Sequence, residues 1–232
     1  AVTFLRNNLS INPALPRVVP FILFLVLTSL QGTFGEESRY WLYLAKTVLG
    51  AWMIWVIRPL IAEMRWSFSW EAVVAGIGVF VIWVGLEPFN PFWNELFGKS
   101  SAEPSLAWNP NQQFGDGSAL ALLFIIVRIA GSALVVPPLE EVFYRSFVYR
   151  WIIRPDIQQV PLNQFDLKAF LLTALVFGIA HPHDWLAGIL CAMAYQYLVL
   201  RKNRLGDAIT AHAITNLLLG IWVVWRGEWK FW

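Results

Sequence analysis

Seven apolar runs, several of them close to the roughly 17 to 25 residues that carry a helix across a bilayer, follow one another along this chain. They fall at about Val18 to Phe34, Trp41 to Ile57, Ala72 to Leu86, Ser118 to Val136, Leu167 to His181, Trp185 to Leu200 and Gly206 to Trp225. Only 14% of the 232 residues are charged and 58% are hydrophobic, where soluble domains carry about a quarter charged residues. That balance excludes an ordinary cytosolic globule. The expected fold is all-α, a polytopic transmembrane helical bundle in one integral-membrane domain, residues 1–232, with its chemistry in the stretch 118–225. Seven spans are expected. An eighth arises if Pro137 and Pro138 end the fourth helix and start another from Leu139 to Ile153, proline being suited to a helix's first turn.

A net charge of +2 with scattered Lys and Arg lacks the dense basic patch that nucleic acid requires, so no nucleic-acid partner is expected. Cys191 is the single cysteine, which excludes an internal disulfide and a cysteine-based zinc cluster. The first apolar run is followed by no small-residue cleavage site, and it reads as a span and not as a cleaved signal peptide. Placing the N-terminus in the cytoplasm puts ten Lys and Arg inside against four outside, the bias that sets membrane orientation. The long segment 87–117, rich in Asn, Pro, Gly and Trp, reads as an interfacial loop with aromatic anchors.

Ionisable side chains inside apolar helices are costly and mark function by default. They gather in three places. In PPLEEVFYRSF, Glu141 and Arg145 lie four apart and share a helix face, while the adjacent Glu140 points about 100° away. One carboxylate is thereby neutralised and the other left free. In LVFGIAHPHDW, Phe177 and His181 share a face before Pro182 stops the helix, His183 reads as solvated loop, and Asp184 as the N-cap of the next helix. In LGDAITAHAITNLLLG, His212 and Asn216 share a face, and Asp207 suits the positive end of the helix. Each cluster alone has a bland explanation: an ion-pair network at a helix end, a capping histidine, hydrogen-bond glue between helices. Jointly, a free carboxylate, two histidines and an amide on three helices make an acid–base site. Glu140 would act as general base on water, assisted by His181, while His212 and Asn216 donate to the oxyanion of a tetrahedral intermediate. No serine or cysteine is visibly paired with a base and HExxH is absent, which disfavours covalent catalysis and a zincin.

The ordered series EExxxR (Glu140, Glu141, Arg145), FxxxH (Phe177, His181) and HxxxN (His212, Asn216) resembles the CAAX-protease and bacteriocin-processing superfamily of intramembrane glutamate proteases, and its bacterial branch in particular. The resemblance implies a water-filled cavity open toward the cytoplasm and peptide-bond cleavage within or beside the membrane. Glu140, His181, His212 and Asn216 would be catalytic, with Glu141, Arg145 and Phe177 supporting them. No cofactor is then expected. The expected location is the bacterial cytoplasmic membrane, and the expected partners are lipid and a membrane-associated peptide or protein, with other membrane subunits as further candidates.

Two competing readings stand beside this one. One carboxylate and two histidines also make a three-ligand zinc set with an open fourth position. A non-catalytic scaffold or partner subunit of a larger membrane complex could keep the same fold, although it has little reason to retain four costly polar groups. Levels along the helices pose a further demand: His212 lies about 9 Å and His181 about 21 Å from their helix starts, whereas a fourth helix ending near Val136 leaves Glu140 at the surface. A kink at Pro137 and Pro138 is expected to bring them together. Arg128 and Lys46 fall within apolar runs outside the motifs, where lining the bundle interior or pairing with a carboxylate is expected.

Overall fold

A computed structural model describes residues 2–90 and 107–232; most of the expected interfacial loop, residues 91–106, lies outside them. The described residues form helices joined by turns and short irregular segments, with no strand among them. The helices are α1 (Val2–Ser10), α2 (Leu15–Ser29), α3 (Ser38–Ile57), α4 (Trp70–Leu86), α5 (Pro110–Phe114), α6 (Ala119–Ile153), α7 (Leu167–Ile179), α8 (Trp185–Lys202) and α9 (Gly206–Arg226). Each of the seven expected segments is a helix. By length and composition four cross a membrane alone, namely Ser38–Leu60, Trp70–Phe89, Ala119–Ile153 and Gly206–Arg226; the pair α1 and α2, bent by 116°, makes a fifth. The helix α1 was not expected from its polar sequence, and it is held by packing of Leu9 into the core and by Arg6 Nε donating to the Val56 carbonyl at 3.0 Å.

The eighth segment is the second half of α6. Residues 119–153 run as one helix of 35 residues, straight through two prolines that would ordinarily break it. Two widened, π-type turns flank the prolines, at Gly131–Val135 and Val142–Val148. Widening the turn before Pro137 moves aside the carbonyls its ring would strike. Continuation of α6 also brings two of the motif residues to similar distances from their helix ends without separate helices. Glu140 stands thirteen residues, about 20 Å, before the end at Ile153, matching the roughly 21 Å from Leu167 to His181.

Chain ends of the helices follow ordinary capping. Ser69, Ser118 and Asp166 accept from backbone amides at the starts of α4, α6 and α7, satisfying donors that a helix start leaves open. Asp184 stands at the N-cap of α8 as expected, yet makes no capping bond. Its carboxylate accepts from Asn90 Nδ2 at 2.8 Å instead. The helix α9 lies at the centre, against α4, α6 and α8. Gly76 permits its contact with α4, because a Cβ there would come within 2.6 Å of the Ala211 carbonyl oxygen.

Outward faces are apolar. Val74, Ile77, Val81, Ile126, Leu171, Leu175, Ile179 and Ile221 are all exposed, a coat that water would penalise and lipid tolerates. Trp66, Trp70, Trp151 and Trp225 are exposed at or near helix ends, the level at which tryptophan anchors to membrane interfaces. The protein is an integral membrane protein.

The lower half of α6 is tied down by a buried hub that the sequence patterns did not reveal. Glu63 Oε1, in the connection between α3 and α4, accepts from Arg17 Nη2 at 2.6 Å, Arg150 Nη2 at 2.9 Å and Ser146 Oγ at 2.6 Å. Burial alone would raise the Glu63 carboxyl, but the Arg17 guanidinium and the Ser146 hydroxyl outweigh it and hold the group below its ordinary range. A depressed carboxylate stabilises the fold above its unfolded value, about 4.3, and that contribution is lost as pH falls through the folded value. Glu63→Gln is therefore expected to cost about 3 kcal/mol at neutral pH. Thermal unfolding in lipid at a series of pH values checks this: the gap between wild type and variant should close well below pH 4, and a gap constant with pH would contradict it.

Candidate active site

A cavity of about 590 Å³ opens between the helices, and Glu140, His181, His212 and Asn216 all line it. The three motifs, 76 residues apart at their extremes in the chain, converge there because α6, α7 and α9 share the core. The two adjacent glutamates part company as the 100° step predicts. Glu141 is fully buried behind the cavity wall, its Oε2 3.1 Å from Arg145 Nε. Glu140 faces the cavity, and its buried Oε2 has no hydrogen-bond partner among the described residues.

Glu141 does more than neutralise Arg145. Its Oε1 lies 2.9 Å from His212 Nδ1. A carboxylate can only accept, so Nδ1 carries the proton and Nε2 is left for the cavity. Tyr195 stacks on the same imidazole, with ring centres 5.3 Å apart, and its hydroxyl meets Thr215 Oγ1 at 2.6 Å. Thr215 in turn donates to the Gly76 carbonyl at 2.7 Å. The orientation of His212 thus rests on α6, α8 and α4 together.

His181 is fixed in a parallel manner. Its Nδ1 lies 2.9 Å from the Phe177 carbonyl oxygen, one turn back, so again Nδ1 donates and Nε2 keeps a lone pair. The Phe177 ring stacks on the imidazole at 4.5 Å, and the edge of Trp83 approaches at 5.5 Å. Phe177 also carries the Arg145 guanidinium 4.9 Å from its ring centre, joining the FxxxH motif to the EExxxR motif through a cation–π contact.

Asn216 is held by the consequence of a proline. In the widened turn the Val136 amide bonds the Gly131 carbonyl, five residues back. The next amide in that register belongs to residue 137, and proline has none. The Ser132 carbonyl is therefore open, and Asn216 Nδ2 donates to it at 2.8 Å. That bond leaves the second amide hydrogen and Oδ1 of Asn216 unspent.

Of the two cations outside the motifs, both line the cavity, as the cost of lipid exposure required. Sequence reasoning missed Tyr195, Trp83 and Glu63, because an aromatic or a glutamate outside a spaced pair carries no local signal. Among the described residues no three of His, Cys, Asp and Glu are grouped closely enough to hold a metal ion. Glu140, His181 and His212 share the cavity without forming such a ligand set.

Comparison with curated proteins and with solved structures finds no match. Residues 120–218, the stretch that carries all three motifs, match the family model for type II CAAX prenyl endopeptidase, Rce1-like, and the similarity is confined to that stretch.

Proposed function

We propose that the protein is an intramembrane endopeptidase that hydrolyses a peptide bond of a membrane-associated protein or peptide with water activated by Glu140. The Rce1-like match supports a CAAX protease-type function. The observation that carries the finer reading is the contrast between two neighbouring carboxylates. Glu141 has its charge matched by Arg145 and His212, whereas Glu140 presents an unpartnered oxygen to a cavity lined by His181, His212 and Asn216.

Each group then has a task. A water molecule donates to Glu140 and attacks the scissile carbonyl, and the carboxylate keeps the proton for transfer to the departing amine. His181, with a lone pair at Nε2, accepts from the same water and orients it. As the carbonyl oxygen gains charge, Asn216 Nδ2 donates its second hydrogen, and His212 donates from Nε2. That role requires His212 to carry both ring protons, Nδ1 donating to Glu141 Oε1 at 2.9 Å and Nε2 to the oxyanion. No metal or organic cofactor enters this scheme, and retention of cleavage after exhaustive chelation is the outcome it requires. We place the protein in a bacterial cytoplasmic membrane on the resemblance to the bacterial branch of the superfamily, with the N-terminus inside on the distribution of Lys and Arg.

The experiment that tests the reading compares wild type with Glu140→Gln in lipid nanodiscs on a pool of membrane peptides, with products read by mass spectrometry. Cuts made by wild type and missing from the variant support it. Equal products, or none from folded wild type, overturn it in favour of a scaffold.

Pro137→Ala offers a second check on the oxyanion geometry. An amide restored at position 137 can bond the Ser132 carbonyl and displace Asn216 Nδ2. Cleavage is expected to fall by about tenfold or more, since loss of one oxyanion donor costs 10²- to 10³-fold. Thermal stability should hold or rise, because interior proline costs a helix up to about 3 kcal/mol. A variant that cleaves at the wild-type rate would contradict the assignment of Asn216.

A further inference from the structure

The cavity wall extends well past the groups used so far. Along α6, Arg128, Ser132, Val136 and Glu140 recur every four residues, and all four line the cavity. One helix face therefore runs from the water-activating carboxylate to Arg128, twelve residues or about 18 Å away. The Arg128 guanidinium carbon lies 4.5 Å from the ring centre of Tyr43, 4.9 Å from that of Trp108 and 5.8 Å from that of Trp232. Lys46 Nζ lies 4.5 Å from the same Tyr43 ring and donates to Thr28 Oγ1 at 3.0 Å. It interacts electrostatically with both Arg128 and Glu140.

Among the described residues neither cation forms an ion pair with a carboxylate. Two cations sharing one aromatic ring inside a membrane protein are costly, and aromatic faces recover only part of that cost. The fold nevertheless holds them in fixed positions on the wall of an open cavity. Such a pair is arranged for an anion that arrives from outside. Guanidinium suits a carboxylate in particular, by parallel N–H donors matched to its two oxygens.

We propose that Arg128, assisted by Lys46, binds a carboxylate of the substrate. The spacing of about 18 Å corresponds to roughly five residues of extended chain, so the carboxylate sits about five residues from the bond that Glu140 cuts. The cleavage distance rests on the endopeptidase reading; the binding of a carboxylate does not. A free C-terminus and an Asp or Glu side chain at that spacing supply the same chemistry.

The test measures binding first, on Glu140→Gln protein in nanodiscs, by quenching of tryptophan fluorescence. Three probes are used: an apolar Leu/Ala peptide with a free C-terminus, the same peptide amidated, and the amidated peptide carrying one internal Glu. The carboxylate-bearing probes are expected to bind about 10- to 100-fold tighter than the plain amide, the worth of a charge-assisted contact. Tighter binding of the first probe alone assigns the carboxylate to the chain end, and tighter binding of both admits the side chain. Adding Arg128→Gln should bring all three together, and Arg128→Lys should restore part of the preference. The preference is a ratio within one preparation, so a partly unfolded variant does not imitate its loss. Equal binding of the three probes, or a preference that survives Arg128→Gln, overturns the proposal. A second arm maps cuts made by wild type: clustering about five residues from the carboxylate supports the spacing, and cuts at no fixed distance overturn it. Preferential binding without any cleavage would sink the endopeptidase and leave the carboxylate site standing.

Discussion

Glu140→Gln is expected to lower peptide cleavage by about 10²- to 10⁴-fold, the range supplied by a positioned general base, without lowering thermal stability. The two halves of this expectation come from one observation. Glu140 Oε2 is buried and makes no hydrogen bond with the described residues, so the amide breaks no hydrogen bond at that oxygen. The carboxylate interacts with Lys46 electrostatically but forms no ion pair with it among the described residues, so little stability goes with its charge. Initial rates on a peptide identified from the pool, paired with an unfolding midpoint in the same nanodiscs, check both halves. Activity within tenfold of wild type would show that another group moves the proton. A large drop in stability would show that Glu140 holds the bundle together and that lost cleavage is secondary.

Its neighbour is expected to behave in the opposite way. Glu141→Ala removes the carboxylate from a buried ion pair in which both side chains are fully enclosed. The Arg145 guanidinium is then left in the core with a carbonyl contact to Ala192 at 3.4 Å and the faces of Phe177, Tyr144 and Tyr195. Breaking one partner out of such a pair costs about 3 to 5 kcal/mol, whereas replacing both by apolar groups is often neutral. The double variant Glu141→Ala with Arg145→Met should therefore recover much of the stability that the single change loses. It should not recover cleavage, because His212 Nδ1 still lacks its acceptor. Unfolding and cleavage measured across wild type, both single variants and the double variant separate the two roles. Recovery of cleavage together with stability would mean that Glu141 acts only through the fold.

This opposition of adjacent residues was legible before any coordinates, because helix geometry alone sends positions 140 and 141 to different faces. The same local rule paired Glu141 with Arg145, Phe177 with His181 and His212 with Asn216, since residues four apart on a helix are neighbours whatever the rest of the chain does. Apolar run length fixed the helices for a similar reason. Hydrocarbon forces every backbone amide to be satisfied within its own segment, so composition over about twenty residues is enough to locate each one.

Other features needed the packed chain. Glu141 meets His212 across 71 positions, and Asn216 meets the Ser132 carbonyl across 84; no periodicity encodes contacts of that separation. Tyr195 and Glu63 gave no local sign, and only the meeting of helices makes one a support for an imidazole and the other a hub for two arginines. Pro137 leaves a break and a kink both open on sequence grounds, because a single helix containing it forfeits a hydrogen bond. Within the bundle that forfeited bond is completed by a side chain of α9, and α6 continues. What the sequence by itself determined was which residues share a face and that most of the chain belongs in lipid, since both follow from the geometry of one helix and its solvent. What only the tertiary structure decided was which faces meet, because contact energy between helices depends on shape and partner and not on the order of residues within either one.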